Sequence, residues 1–248
     1  CALLSGVETT VVLYTIMRLF PLFQGTSAVN TGIWLIVFGL VSVGTAAFLL
    51  LQAKDYKRLF AFSTVEHMGI IALGAGIGGV GPAVAMFHML GNSLGKTAGF
   101  FSAGAVGRAA GTYDMRALRQ AGRISSLWGG ALAASLLALV GTAPFSLFLS
   151  EFLMLQAAFS SGRFVTGTLF LAGLVLVFVG TLRHVISLLW EPRPQEDESH
   201  VPRAPRPSWW EAALVIAPLG ALLVLGVFVP SRLWQVFDAA ARIVGGGS

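Results

Sequence analysis

The chain has 248 residues, of which 56% are hydrophobic and only 11% are charged, and its mean hydropathy is +0.81. Soluble domains carry about 25% charged residues, so these few charges could not cover a globular surface, and the composition predicts a polytopic membrane protein. This excludes nucleic-acid binding as the explanation of the net charge of +5, because the basic residues lie mostly in short loops. The single cysteine, Cys1, excludes an internal disulfide framework and a cysteine-based metal cluster.

Apolar segments long enough to cross a membrane follow one another along the chain. A helix that crosses about 30 Å of hydrocarbon needs roughly 20 mostly apolar residues. Seven segments meet this requirement: residues 2–23, 31–52, 57–76, 81–107, 125–159, 164–190 and 209–229. The sequence therefore predicts an all-α membrane protein with about seven transmembrane helices, in which residues 1–230 form a single transmembrane domain.

The tail, residues 231–248, has a different pattern. Its apolar residues recur at helical spacing on the side opposite its polar residues; the first group is Leu233, Val236, Phe237, Ala240 and Ala241, and the second is Arg232, Gln235, Asp238 and Arg242. This pattern predicts an interfacial amphipathic helix over residues 231–243. A frayed tail is the alternative.

Alternate loops differ in the number of basic residues that they carry. One set holds ten, namely Lys54, Lys57, Arg58, Arg108, Arg116, Arg119, Arg123, Arg193, Arg203 and Arg206, and the other holds four, namely Arg18, Arg163, Arg232 and Arg242. Because cytoplasmic loops carry the excess of Lys and Arg, we expect a multi-pass protein of the inner (plasma) membrane that starts in the cytoplasm and ends outside. Residues 191–208 then form a cytoplasmic loop, and their proline-rich sequence predicts an extended, solvated connector.

The fifth segment is too long for one straight helix, and it contains Gly141 and Pro144. Proline removes a backbone donor and clashes with the preceding turn. Interrupted backbone at membrane depth is tolerated only where protein or a water-filled cavity satisfies the freed groups, and such broken helices mark ion and substrate sites in transporters. We interpret Gly141 and Pro144 as a functional helix break because Glu151 follows it; an ordinary proline kink is the alternative.

Ionisable side chains lie inside several of the predicted spans. A charged side chain at the centre of a bilayer costs at least about 2.5 to 3.5 kcal/mol, so such residues are rare and usually functional. The predicted spans contain eight of them: Glu8, Glu66, His67, His88, Lys96, Glu151, Arg183 and His184. We therefore expect these side chains to face one another and water, as a hydrated polar string through the protein.

In the fourth span, polar residues of this kind recur at helical spacing. His88, Asn92 and Lys96 lie at positions i, i+4 and i+8, so they share one helix face. An imidazole, which titrates near neutral pH, on the same face as an ammonium group suits stepwise proton transfer. Glu151 would supply the complementary carboxyl group.

Several of these residues also have a purely structural explanation. Glu66 could tie down a helix near the cytoplasmic face, His67 could be a packing residue, and Glu8 could be an isolated, satisfied carboxyl group. Arg183 lies near the cytoplasmic end of its span, where its side chain can snorkel to the surface. For Arg183 and His184 we favour the structural explanation.

No catalytic motif competes with a transport function. The sequence has no glycine-rich phosphate loop, no Cys-x-x-Cys pair and no His-Glu-x-x-His motif. Glu66 and His67 are adjacent on a helix and therefore point about 100° apart, which does not predict a metal site. We expect no metal and no cofactor, and a chain that is not catalytic by itself; redox chemistry would belong to another subunit.

Several of these residues lie in motifs of a known family. Residues 57–69, KRLFAFSTVEHMG, resemble its K-x-L-x-A-[YF]-S-[ST] stretch, residues 87–96 resemble its F-H-x-x-x-[HN]-x-x-x-K helix, and residues 141–151 resemble its broken helix. The family comprises the antiporter-like, proton-conducting membrane subunits of respiratory complex I, group 4 membrane-bound hydrogenases and Mrp-type cation/proton antiporters. Glu66-His67 and Ser150-Glu151-Phe152 are most similar to its hydrogenase-associated branch, such as the formate hydrogenlyase-like complexes.

The resemblance implies a particular place in the family fold, which has fourteen helices built from two inverted five-helix repeats. This chain would be the second half, with the eighth helix, the second repeat and the last helix. It opens without Met and without the basic segment of a signal peptide, so we expect it to be the middle of a longer protein. Two positions depart from the family pattern: Thr10 stands near a common Lys or His, and Asn92 stands in place of a second His.

Three functional hypotheses follow. The leading one is a proton-translocating subunit, or the C-terminal part of one, in a hydrogenase or complex I-like redox complex, with other membrane subunits of that assembly as its partners. Its proton-transfer residues would be His88, Lys96, Glu151, Glu66, His67 and Glu8. The second hypothesis is an Mrp-type Na+/H+ antiporter subunit, and the third is an inactive structural membrane scaffold.

Overall fold

The computed structural model describes residues 2–19, 31–192, 204 and 207–244, and these residues are almost entirely helical. Their only β-type pairing is an isolated bridge between Asp55 and Asp114. A π-helical turn, Leu4–Glu8, continues into the first α-helix. The helices are α1 (Thr9–Leu19), α2 (Thr31–Leu51), α3 (Tyr56–Ile77), α4 (Gly81–Ala110), α5 (Ala121–Ile124), α6 (Ser126–Leu139), α7 (Ser146–Ser160), α8 (Phe164–Trp190), α9 (Trp209–Val227) and α10 (Ser231–Val244).

Four of the described helices, α2, α3, α8 and α9, are long and apolar enough to cross a membrane. Their ends lie within a few residues of the predicted segments. α4 has 30 residues but is less apolar, since it carries glycines and the polar residues His88, Asn92 and Lys96. For the first predicted segment the structure describes helix up to Leu19, and residues 20–23 lie outside the described part of the chain.

The fifth predicted segment forms two short helices. α6 ends at Leu139, α7 begins at Ser146, and the residues between them include Gly141 and Pro144. Gly141 has φ +69°, in the left-handed region that favours glycine. α6 and α7 have 14 and 15 residues, so each is shorter than the roughly 20 residues of a full crossing.

α4 lies at the centre of the helix packing. It contacts α3, α6, α7, α9 and α10, whereas α2 packs mainly on α3 and α8. Gly95 and Gly99 of α4 face Leu139 of α6 and Phe60 of α3, where an added Cβ would lie 2.9 Å and 2.6 Å from the nearest side-chain atom. These glycines allow α4 to approach both neighbours closely, which brings the polar face of α4 against α3 and the broken helix.

The tail is helical from Ser231 to Val244. α10 packs on α1 and α4, and the rings of Trp234 and Phe237 lie 6.3 Å and 6.0 Å from the ring of Phe87. Val236, placed on the apolar side by its spacing, is 61% exposed. The apolar side of α10 is thus covered by protein at Trp234 and Phe237. The rotation of α10 against α4 decides which of its apolar residues are covered.

The basic loops meet at one end of the helix bundle. The bridge between Asp55 and Asp114 joins the α2–α3 connection to the segment after α4, and Arg119 forms an ion pair of 2.6 Å with Glu191 at the end of α8. The basic residues before α3 and those of residues 108–123 therefore lie together. Arg193, Arg203 and Arg206 lie outside the described residues.

Candidate functional site

Polar side chains meet in the otherwise apolar interior where α3, α4 and α7 pack together. We call them the polar cluster: Glu66 and His67 of α3, His88, Asn92 and Lys96 of α4, and Ser150 and Glu151 of α7. All seven are buried, and Lys96, His67 and His88 are 0% exposed. The spacing of i, i+4 and i+8 on α4 aligns three of them toward α3 and α7.

Two histidines and a serine form a continuous hydrogen-bonded chain across three helices. His67 Nδ1 lies 3.0 Å from His88 Nε2, and His88 Nδ1 lies 2.8 Å from Ser150 Oγ. Ser150 donates its hydroxyl proton to the carbonyl of Leu147, so it accepts from His88 Nδ1–H. In the neutral chain His88 Nε2 then accepts from His67 Nδ1–H, which leaves His67 Nε2 as a lone-pair acceptor. That nitrogen has no hydrogen-bond partner among the described residues.

Lys96 is held at the other side of the cluster by oxygen atoms alone. Its Nζ donates to the carbonyl of Phe60 at 2.6 Å, to Thr64 Oγ1 at 2.7 Å and to Ser5 Oγ at 3.3 Å. These three bonds use all three donors of an ammonium group. No carboxylate of the described residues pairs with Lys96 within 4.0 Å, although Glu66 attracts it electrostatically.

Glu66 lies between the lysine and the broken helix. It interacts electrostatically with both Lys96 and Glu151. Its Oε1 and the Oγ of Ser63 have no hydrogen-bond partner among the described residues, and both residues line a cavity of about 10 Å³ with Val140 and Thr181. A cavity of that volume accommodates about one water molecule.

The helix break shapes the surroundings of Glu151. The carboxyl group of Glu151 lies directly against Gly141, at the place where a Cβ on residue 141 would be. Glycine is therefore required there for space as well as for its positive φ. Glu151 is 5% exposed and borders a groove of about 420 Å³ between the break, α7 and α8, whose other walls, such as Phe152 and Phe178, are mostly apolar.

Five of the eight predicted ionisable residues come together, and three do not. Glu66, His67, His88, Lys96 and Glu151 belong to the polar cluster. Glu8 and Arg183 are exposed, and His184 donates from Nε2 to the carbonyl oxygen of Leu50 at 2.8 Å. The expectation that all eight face one another is wrong, because Glu8 and Arg183 are exposed and His184 bonds to the end of α2 instead of to the polar cluster.

Hydroxyl side chains complete the site, and the sequence alone did not identify them as part of it, whereas it did place Asn92 on the polar face of α4. Ser5 and Thr64 share a hydrogen bond of 2.6 Å beside Lys96, Ser150 ends the histidine chain, and both side-chain amide atoms of Asn92 lack partners among the described residues. Hydroxyl residues in membrane helices commonly bond to other helices or to their own backbone, so they carry little signal by themselves. Only the position of Ser150 next to Glu151 could have suggested a role.

The polar cluster can hold and relay protons. Comparison with known proteins shows to which family the chain belongs. Residues 1–178 match the family described as NADH:quinone oxidoreductase/Mrp antiporter, transmembrane region. This match covers well over half of the chain, so the chain belongs to this family of antiporter-like membrane subunits. The resemblance drawn from the motifs is confirmed.

Named relatives come from hydrogenase and Mrp assemblies. The chain is 32% identical over 239 residues to the hydrogenase-4 component F homolog of Methylacidiphilum infernorum, covering 96% of this chain and 48% of that protein. It is 29% identical over 221 residues to formate hydrogenlyase subunit 3 of Escherichia coli, covering 80% and 36%. A subunit of the Mrp complex from Dietzia sp. DQ12-45-1b has the same fold, with a TM-score of 0.85 at 20% identity over 99% of this chain and 53% of that one. The chain thus spans about half or less of these proteins.

Proposed function

We propose that the chain is the C-terminal part of a proton-translocating, antiporter-like membrane subunit of a hydrogenase or complex I-like redox complex. The observation that carries the proposal is the buried polar cluster, in which titratable groups from three helices lie within hydrogen-bonding or electrostatic range of one another. Buried ionisable groups inside a membrane protein mark proton and ion pathways. The hydrogenase-associated names of two relatives support the redox complex.

The histidine chain suggests how a proton moves. A proton taken up at the free His67 Nε2 makes that ring a cation, and its Nδ1 proton then passes to His88 Nε2. His88 in turn delivers its Nδ1 proton to Ser150, whose hydroxyl proton leaves for the next acceptor. The two transfers from His67 to His88 and from His88 to Ser150 follow hydrogen bonds of 3.0 and 2.8 Å. The hydroxyl and the rings then reorient, which returns the chain to its start.

Lys96, Glu66 and Glu151 would act as the charged members of the pathway. Lys96 holds a proton on its ammonium group, and Glu66 exchanges protons with Lys96. Glu151 releases the proton into the groove at the broken helix. Glu8, which is exposed on the first helix, would take part only through a portion of the protein beyond this chain. The partners are other membrane subunits of the assembly.

The proposal includes a topology. We propose seven crossings of the inner membrane, with α6 and α7 together making the fifth, and with the basic end of the bundle in the cytoplasm. The gathering of basic residues around Asp55, Asp114 and Arg119 supports that orientation. In the full protein these crossings would be the second half of a fourteen-helix, inverted-repeat fold.

Cysteine labelling tests the topology. Arg116 and Ser161 are both exposed and lie at opposite ends of the bundle. Membrane-impermeant thiol reagents should label an Arg116→Cys variant only from the cytoplasm and a Ser161→Cys variant only from outside. Labelling of both variants from one side would contradict the seven-crossing arrangement.

Proton pumping by the intact complex in sealed vesicles tests the function. Lys96→Met and Glu151→Gln should each abolish pumping while leaving membrane insertion intact, because both substitutions keep the approximate shape and remove a group that exchanges a proton. Glu151→Asp should retain part of the activity. Full pumping by both Lys96→Met and Glu151→Gln would refute proton translocation and favour a structural scaffold.

An Mrp-type Na+/H+ antiporter subunit is the second candidate, because the description of the matching family includes the Mrp antiporters; the fold is also similar to that of a subunit of an Mrp complex. That similarity lies below 25% identity, so it supports the fold and not the transported ion. The two candidates differ in what drives transport. Sodium-dependent pH changes in vesicles without a redox substrate would favour the antiporter, whereas pumping that requires electron transfer would favour the redox complex.

A further inference from the structure

A second cavity lies at the basic end of the bundle, apart from the polar cluster. This cavity, which we call the vestibule, has a volume of about 670 Å³ and is open to solvent. It lies between the end of α2, the segment after α4 and the last turns of α8, and its walls carry Lys54, Asp114, Arg116, Arg119, Arg183 and His184. The vestibule is therefore a polar, mixed-charge space that water can fill.

His184 is the innermost titratable residue of the vestibule. Its side chain is buried at 9% exposure, and its Nε2 lies 2.8 Å from the carbonyl oxygen of Leu50. A carbonyl can only accept, so Nε2 carries the proton and Nδ1 of the neutral ring is a lone-pair acceptor. His184 can thus take a proton from vestibule water without breaking its bond to α2.

Thr181 precedes His184 by three residues on α8 and lines the small cavity that also holds Ser63 and Glu66. Side chains three apart on a helix are neighbours, about 5–6 Å between Cβ atoms, and one water molecule bridges such a gap. The hydroxyls of Thr10, Thr64 and Thr97 bond to their own helix backbone. The Thr181 hydroxyl makes no hydrogen bond among the described residues, so it remains available to solvent in the cavity.

We infer that His184 and Thr181 form a proton entry path from the vestibule to Glu66. This inference rests on the proposed function, since it supplies the proton that the polar cluster relays. His184 Nδ1 accepts a proton from vestibule water and gives it to a water molecule beside Thr181. The Thr181 hydroxyl accepts that proton while donating its own to water in the small cavity, and a lone pair of Glu66 Oε1 forms the final O–H bond. No electron transfer is involved, and each donor regains the proton that it gives.

The path accounts for two polar atoms of α3 that are buried without hydrogen-bond partners. Glu66 Oε1 and Ser63 Oγ are buried without partners among the described residues, and leaving such groups unpaired costs about 1–3 kcal/mol each. Both atoms belong to residues that line the cavity shared with Thr181. A water molecule bonded to Ser63, Glu66 and Thr181 would satisfy them and complete the connection to α8.

Substitutions of Thr181 in the intact complex test the path. Thr181→Val keeps the shape and removes the hydroxyl, so we expect the rate of proton pumping to fall by about tenfold, less than the 10²–10⁴-fold of a positioned acid or base. Thr181→Ser keeps the hydroxyl and should restore most of the rate. Thr168→Val, an exposed residue earlier on α8, is the matched control and should pump normally.

Three outcomes would overturn the entry path. The first is normal pumping by Thr181→Val, and the second is an equal loss in Thr181→Val and Thr181→Ser, which would show a packing role. If Thr181→Val fails to insert, Ser63→Ala and His184→Gln provide the same test; the new Gln side chain can keep the bond to Leu50. Normal pumping by both of these variants is the third outcome. Lys96→Met and Glu151→Gln separate the two proposals. Full pumping by both variants refutes the proposed function, whereas loss of pumping in both, together with normal pumping by Thr181→Val, refutes only the path.

Discussion

The two ends of the polar cluster differ in how completely their polar atoms are paired. At the lysine end, Lys96 Nζ is enclosed by three acceptors from the π-helical turn before α1 and from α3. At the carboxylate end, Glu151 Oε1 has no hydrogen-bond partner among the described residues, and the residue borders an open groove. Lys96 has its acceptors within this chain, whereas Glu151 Oε1 needs a hydrogen-bond partner that the described residues do not supply.

The difference gives the two ends different roles in the proposed pathway. Three oxygen acceptors stabilise the ammonium form of Lys96, so this end is suited to hold a proton. An unpaired carboxyl beside a groove is suited to exchange its proton with whatever enters the groove. We therefore expect substitutions at the carboxylate end to disrupt transport by changing space and access, and substitutions at the lysine end to disrupt it by changing hydrogen bonding.

The largest effect should come from Gly141→Ala at the carboxylate end. The new Cβ would occupy the position of the Glu151 carboxyl group, and a left-handed backbone costs a non-glycine residue roughly 1–2 kcal/mol. We expect pumping to be abolished and thermal stability of the complex in detergent to fall. Gly130→Ala in α6, where an added Cβ meets nothing within 4 Å, should leave both unchanged; similar behaviour of the two variants would contradict this account of the break.

At the lysine end, Thr64→Val should have the next largest effect. It removes an acceptor 2.7 Å from Lys96 Nζ, and a hydrogen bond to a charged group contributes about 1.5–3 kcal/mol. We expect slower pumping and lower thermal stability, with Thr64→Ser restoring both. Thr15→Val removes an exposed hydroxyl on α1 that bonds only to its own helix, and it should match the parent protein. Unchanged pumping in Thr64→Val would show that Lys96 does not depend on this acceptor.

Ser150→Ala tests the connection between the two ends. It removes the acceptor of His88 Nδ1–H, and a buried donor without a partner costs about 1–3 kcal/mol. We expect partial loss of pumping, since water can replace the hydroxyl in part. Ser160 is an exposed residue whose hydroxyl makes the same kind of bond to its own helix, so Ser160→Ala should have no effect. Equal rates in both variants would exclude the histidine chain from transport.

Glu8→Gln should have the smallest effect. The Glu8 side chain is exposed and outside the polar cluster, and surface substitutions away from specific features usually change stability by about 0.5 kcal/mol or less. We expect normal pumping in the intact complex, measured beside Glu66→Gln, which should be impaired. A loss of pumping in Glu8→Gln would mean that Glu8 meets a partner elsewhere in the full protein.

The sequence by itself determined the membrane class, the positions of the helices and the five titratable residues that meet in the polar cluster. Apolar length predicted α2, α3, α4, α8 and α9 to within a few residues, because a helix that crosses a bilayer satisfies its backbone locally. The alignment of His88, Asn92 and Lys96 also followed from the sequence, since helical periodicity fixes which residues share a face.

The tertiary structure decided which of these residues meet. Ser5 and Lys96 are 91 positions apart, and Ser150 and His88 are 62 apart, so no local pattern relates them. The rotation of each helix about its axis decides whether a polar residue faces the cluster, as Glu66 does, or projects outward, as Glu8 does. That rotation is set by close packing between helices, for example where Gly99 meets Phe60, and hydropathy along one helix carries no information about it.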